Sequence, residues 1–125
     1  MNNIVTVFGS SLPEPGDDEY AVGYELGKQL ALNKFDVCTG GYKGIMEAVS
    51  KGALDNGSRS IGITLGYIKS KPNKYLTEEI KCYDLFERIN KLIELGSGYV
   101  VLQGGTGTLL ELAAVWELMN KKLMA

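Results

Sequence analysis

Two glycine-rich stretches and two charged side chains are the parts of this chain whose types and spacing could do chemistry. Gln103-Gly104-Gly105-Thr106-Gly107-Thr108 follows the apolar run Tyr99-Val100-Val101-Leu102 and precedes an apolar segment, Leu109 to Met119, that reads as a helix. A glycine loop between a buried strand and a helix N-terminus gathers backbone N–H groups and the positive end of a macrodipole at one spot, which suits an anion, phosphate above all. Glu111 falls one turn into that helix, where its carboxylate is expected to be held ionised beside the bound anion. The same residues fit a capping box, with Thr108 as N-cap and Glu111 reaching back to it. A cap needs no run of glycines, however, and Gly104, Gly105 and Gly107 point to close approach of a ligand to backbone.

The arrangement occurs twice. Phe35 to Thr39 is a second apolar strand, followed by Gly40-Gly41-Tyr42-Lys43-Gly44 and a helix from Ile45 to Leu54. Neither loop is a dinucleotide fingerprint, since Leu110 stands where that motif wants a small residue, and neither is a Walker loop, since no Lys-Ser or Lys-Thr follows the glycines. Lys43 is either a cation for a bound phosphate or an exposed loop lysine. The other charged candidate is Arg88, at the border of an apolar stripe made by Leu85, Phe86, Ile89, Leu92 and Ile93 on a helix spanning Leu85 to Leu95. A border arginine either snorkels or reaches along the sheet edge to an anionic site.

Composition narrows the classes. The chain has 125 residues, a net charge of −2 and no basic run, which argues against a nucleic-acid surface. It has no histidine, which removes Ser-His-Asp, Cys-His and histidine-ligated metal chemistry. Cys38 and Cys82 lie in separate apolar contexts and fit buried thiols of a reducing compartment better than a disulfide or a metal site. No apolar stretch is long enough to span a bilayer, and no signal peptide precedes the first strand.

The elements that must position these residues follow in order. Ile4 to Phe8 is a strand, ending in the small polar turn Gly9-Ser10-Ser11. A helix begins at Asp17-Asp18-Glu19 and runs to about Leu32, its Gly23 and Gly27 marking close helix–sheet contact. Ser60 to Thr64 and Ile80 to Tyr83 are further strands, joined by Leu65 to Thr77, a long surface loop that either folds over a ligand as a lid or is a plain solvated connection. Strand–helix alternation gives an α/β fold, a Rossmann-like doubly wound parallel sheet in three α/β/α layers, as one domain over residues 1–125. The first strand and Tyr99–Leu102 then lie side by side where the strand order reverses, which places a ligand crevice between their carboxyl ends.

The sequences Gly40-Gly41-x-x-Gly44-Ile45-Met46-Glu47-Ala48 and Gly104-Gly105-Thr106-Gly107-Thr108-x-x-Glu111 resemble the two signatures of the LOG (Lonely Guy) family, Rossmann-like proteins once labelled lysine decarboxylases. The likeness runs over almost the whole chain. It implies hydrolysis of the N-glycosidic bond of a nucleoside 5′-monophosphate to free base and ribose 5-phosphate, with Arg88 and Glu111 on the family's catalytic positions. Substrate and phosphate would be held by Gly9, Ser10, Gly40, Gly41, Gly44, Met46, Gly104, Gly105, Thr106, Gly107 and Thr108. The ligand would be AMP-like, with no metal or cofactor and no nucleic-acid or membrane partner, in a cytoplasmic homodimer. Gln103, Ile89 and Leu110 stand where the family usually has proline, lysine and a second acid. Together with Asn73-Lys74-Tyr75 and Met46 to Ala53, they look closer to relatives similar to molybdenum-cofactor carrier proteins. That leaves a non-enzymatic nucleotide or cofactor carrier or sensor as the alternative. Relatives add a further strand and helix beyond this point, so the chain is expected to be truncated or to build a smaller sheet.

Overall fold

The computed structural model describes residues 3–104 and 106–120. Strand and helix alternate as β1 (Ile4–Phe8), α1 (Asp18–Leu32), β2 (Asp36–Thr39), α2 (Ile45–Asp55), β3 (Ser60–Leu65), β4 (Glu78–Cys82), α3 (Leu85–Leu95), β5 (Gly98–Val101) and α4 (Thr106–Asn120). All strand pairings are parallel, in the order β4-β3-β2-β1-β5. The chain winds outward from β1 to β4 and returns to pair β5 with the opposite edge of β1, Val7 beside Val100. Strand order therefore reverses between β1 and β5, as the α/β reading required.

Alternation along the central strands divides the core in two, because successive side chains point to opposite faces. Val5, Val7 and Val37 pack with Ile45, Val49 and Ala53 of α2 on one face. Phe8, Cys38, Ile61 and Ile63 pack with Ile89, Leu92 and Ile93 of α3 and Val115 of α4 on the other. The result is the expected Rossmann-like fold, with both cysteines buried as free thiols.

Several local expectations are corrected. The glycines of α1 serve helix–helix rather than helix–sheet contact: a Cβ on Gly27 would strike the Val49 carbonyl, and one on Gly52 of α2 would strike the Tyr24 carbonyl. The two helices thus touch backbone to backbone. Strand β5 is not buried on both faces; it lies at the sheet edge, half-buried, with Val101 exposed. Phe86 leaves the apolar stripe of α3 and is 68% exposed. β4 starts at Glu78 because Thr77 already pairs with Ser60, its N–H donating to the Ser60 carbonyl at 2.8 Å. Finally, α4 starts at Thr106, so Thr108 lies inside the first turn and is not the N-cap of a capping box.

Candidate functional site

At the carboxyl edge of the sheet, three loops meet on Ser10. Its N–H donates to the Gln103 carbonyl after β5 (3.0 Å), and its carbonyl accepts from the Ile45 N–H at the start of α2 (2.9 Å). Gly44, the N-cap of α2, adopts φ +71°, and any Cβ there would collide with the Ser10 carbonyl. Gly41 is likewise left-handed at φ +83° and packs on Gly62 and Thr64 of β3. Its N–H donates to Thr39 Oγ1 at 3.1 Å, and its carbonyl accepts from the Asn73 N–H at 2.9 Å. Gly41 and Gly44 thus lock the loop into the protein.

Arg88 departs from helix α3 at its buried border and crosses the ends of β2 and β3. Its Nε donates to the Ile63 carbonyl (2.7 Å) and its Nη2 to the Gly40 carbonyl (3.0 Å). A Cβ on Gly40 would occupy the place of that Nη2 and of Met46 Sδ, so glycine is what admits the guanidinium. The arginine reaches along the sheet edge and does not snorkel. With one edge of the planar guanidinium fixed on carbonyls, its remaining N–H donors meet no acceptor among the described residues, a geometry that could suit paired oxygens.

The cleft so formed has a volume of about 530 Å³ and is walled by the β1 turn from Phe8 to Leu12, by Gly40, Tyr42 and Met46, and by Arg88 and Ile89. Thr108, Leu110 and Glu111 of α4 close the far side, with Ile68 and Ser70 at the lip. That is ample for a small phosphorylated metabolite. Glu111 is not held ionised by its surroundings. Burial pushes its carboxyl up from 4.5 to about 6, while the positive charge of Arg88 acts in the opposite sense. The cause is desolvation in a wall shared with Leu110, Ile89 and Phe8.

Of the residues singled out from sequence, Gly9, Ser10, Gly40, Met46, Arg88, Thr108 and Glu111 line this cleft. Gly41 and Gly44 stand behind it. Gly104 lines an adjoining hollow of about 480 Å³ on the other side of Ser10, with Leu12, Pro13, Val22 and Gln103. Thr106 and Gly107 contribute the helical backbone of the first turn of α4, and Gly105 lies outside the described residues. Lys43 is exposed and is not part of the wall.

Sequence reasoning named Tyr42 and Asn73 only within their motifs and gave neither a role at the site. The 66–77 connection is not simply solvated: Asn73 is buried, donating from Nδ2 to the Tyr42 carbonyl (2.8 Å) and accepting from the Tyr75 N–H (3.0 Å). An asparagine right after Pro72, able to bond the backbone two residues on, was the available signal.

Comparison with known proteins decides the family. The profile of the SLOG cluster4 family matches residues 2–125. The chain belongs to the SLOG cluster4 family. It is 33% identical over 120 residues to a pyrimidine/purine nucleotide 5′-monophosphate nucleosidase of Escherichia coli strain K12, covering 89% of this chain and 26% of that one. It is 30% identical over 108 residues to a cytokinin riboside 5′-monophosphate phosphoribohydrolase of Rhodococcoides fascians, covering 83% and 54%. The SLOG cluster4 chain thus spans a quarter to a half of the length of these relatives, and the resemblance to the LOG family is borne out. Among solved structures, the molybdenum cofactor binding protein of Rippkaea orientalis superposes with a TM-score of 0.84 at 25% identity, covering 95% of this chain and 73% of that one.

Proposed function

We propose that this chain is a LOG-like phosphoribohydrolase that cleaves the N-glycosidic bond of a nucleoside 5′-monophosphate. One observation carries the reading: Arg88 of α3, its remaining donors unclaimed among the described residues, and Glu111 of α4, its acidity weakened by burial, wall a single cleft at the carboxyl edge of the sheet. Breaking a ribosyl C1′–N bond builds positive charge on the sugar, which a nearby carboxylate stabilises. With a pKa of about 6, Glu111 is mostly carboxylate at neutral pH and still basic enough to take a proton from attacking water. The water oxygen bonds to C1′ as the C1′–N bond breaks, and the base departs with the electron pair of that bond and receives, directly or through solvent, the proton that Glu111 took from the water. Arg88 grips phosphate or ribose oxygens with its open N–H donors. Gly9, Ser10, Met46, Thr108 and the first turn of α4 are assigned to the substrate, and Gly40, Gly41 and Gly44 to shaping the loop that admits Arg88.

Relatives named for nucleotide hydrolysis support an AMP-like substrate, and the absence of a basic run argues against nucleic acid. A cytoplasmic homodimer of this nucleotide-binding domain remains the reading for assembly and place. It is supported by buried free thiols and by the apolar face on which α4 exposes Leu109, Leu112, Trp116 and Met119. Among the described residues, no helix is long and apolar enough to cross a membrane.

The test is incubation with AMP and other nucleoside monophosphates, followed by chromatography for free base. Release that disappears in Glu111→Gln supports the assignment. A second reading, a carrier that binds without cleaving, is favoured by the likeness to the molybdenum cofactor binding protein and by Gln103, Ile89 and Leu110. Tight binding of AMP with no base released over hours would decide for it.

A further inference from the structure

Tyr42 is nearly buried, yet it lines the cleft. Its hydroxyl accepts from the Leu65 N–H at 2.8 Å and donates to the Leu65 carbonyl at 3.1 Å, at the end of β3. Its own carbonyl accepts from Asn73, the residue that pins the 66–77 connection. The guanidinium carbon of Arg88 lies 5.5 Å from the centroid of the ring so anchored. Guanidinium groups are weakly hydrated and settle on aromatic faces.

The two carbonyls that receive Arg88 fix one edge of its plane, at Ile63 and Gly40. A fork held on one edge can still rock about that edge, and an aromatic ring packed beside it limits this motion. We propose that Tyr42 is a positioning residue for Arg88, its ring holding the guanidinium so that the open donors face the cleft. The hydroxyl has a separate task, closing the backbone groups of Leu65. This inference rests on reading Arg88 as the group that grips the anionic ligand.

The two tasks separate by substitution. Tyr42→Phe keeps the ring and loses the hydroxyl, whereas Tyr42→Leu and Tyr42→Met lose the ring and keep a buried apolar side chain. Arg59 and Arg88 are the arginines of this chain, so nitrogen-15 spectra of the arginine Nε–H groups are simple to read. Arg88→Lys assigns the signals. Arg59, bound to Asp36 through Nε at 3.0 Å, reports on folding independently of the cleft.

The expected result is a slowly exchanging Arg88 Nε–H in the parent and in Tyr42→Phe, with base release from AMP within about threefold of each other. Tyr42→Leu or Tyr42→Met should broaden or lose that signal while the Arg59 signal stays. Their kcat should fall about tenfold or more, with a smaller rise in KM, because misorientation acts mainly on the transition state. The proposal is overturned if a ringless variant with an intact Arg59 signal keeps the Arg88 signal, or if Tyr42→Phe loses it as fully as Tyr42→Leu. Should the parent release no base from AMP, the hydrolase reading fails, and the spectra alone still decide the role of Tyr42.

Discussion

Arg88 and Gly40 fit each other as a key fits a slot: the arginine Nη2 donates to the glycine carbonyl at 3.0 Å, in space that any side chain on residue 40 would fill. They are far apart in sequence, on α3 and at the end of β2, and only the parallel sheet brings them together.

Gly40→Ala should therefore dislodge the guanidinium. Overpacking of this kind costs about 1–3 kcal/mol of stability. The specific loss is in ligand binding, where displacing a charged donor should weaken AMP by about tenfold or more. Calorimetry beside a thermal melt checks both; unchanged affinity would mean that Arg88 has no hold on the ligand.

Glu111 gives opposite signs for activity and stability. Its folded pKa lies above the ordinary 4.5, near 6, so between these values the native state binds more protons than the unfolded chain. Stability from this group is thus present at low pH and lost as pH rises through about 6. Activity that needs the carboxylate should rise over the same interval. Glu111→Gln should lower turnover by on the order of a hundredfold. At neutral pH it should also stabilise the fold by up to about 1 kcal/mol, allowing for screening at the open cleft. A Glu111→Gln protein that melts below the parent at pH 7.5 would count against the desolvated carboxyl.

The charge of Arg88 opposes the rise in the Glu111 pKa. Removing it in Arg88→Ala should move the acid limb of the pH–rate profile to higher pH, besides weakening AMP. A limb that stays in place would show that the two groups do not sense each other during catalysis.

Asn73→Ala removes the donor to the Tyr42 carbonyl and the acceptor for the Tyr75 N–H. Leaving such groups unsatisfied costs about 1–3 kcal/mol. The 66–77 connection should become an early target of limited proteolysis. Cleavage no faster than in the parent would show that other contacts hold it.

At Gly27 two effects compete. Helix propensity favours alanine by about 1 kcal/mol. A Cβ there would run into the backbone carbonyl of Val49, which cannot move without shifting α2. The collision wins, so Gly27→Ala should lower stability by about 2 kcal/mol or more, measured by denaturant titration.

Much of this was legible in the sequence. The bounds of α3 and the side-by-side placement of β1 and β5 followed from periodicity and from the repeated strand–loop–helix pattern. The placement of Arg88 and Glu111 in one cleft followed from the motif resemblance. What stayed hidden depends on contacts between distant segments. Spacing shows that Gly27 lies on a helix, but not that a second helix rather than the sheet lies against it. The ionisation of Glu111 depends on apolar residues that two other elements, β1 with Phe8 and α3 with Ile89, bring into its wall. Tyr42 looked like a loop residue because its partners, Leu65, Asn73 and Arg88, lie well downstream in the chain.

The double tie at Ser10 also decides where this chain can be lengthened. With its N–H on Gln103 and its carbonyl on Ile45, Ser10 leaves no slack between Phe8 and Ser11. One added residue there would have to break a bond to the loop after β5 or to the start of α2. A few positions later, residues 14–16 are exposed, and Gly16 has open space around it. A reporter peptide or fluorophore attachment belongs in that bend, next in the chain to the Pro13 that lines the adjoining hollow, where it would not unfasten the loops that form the cleft.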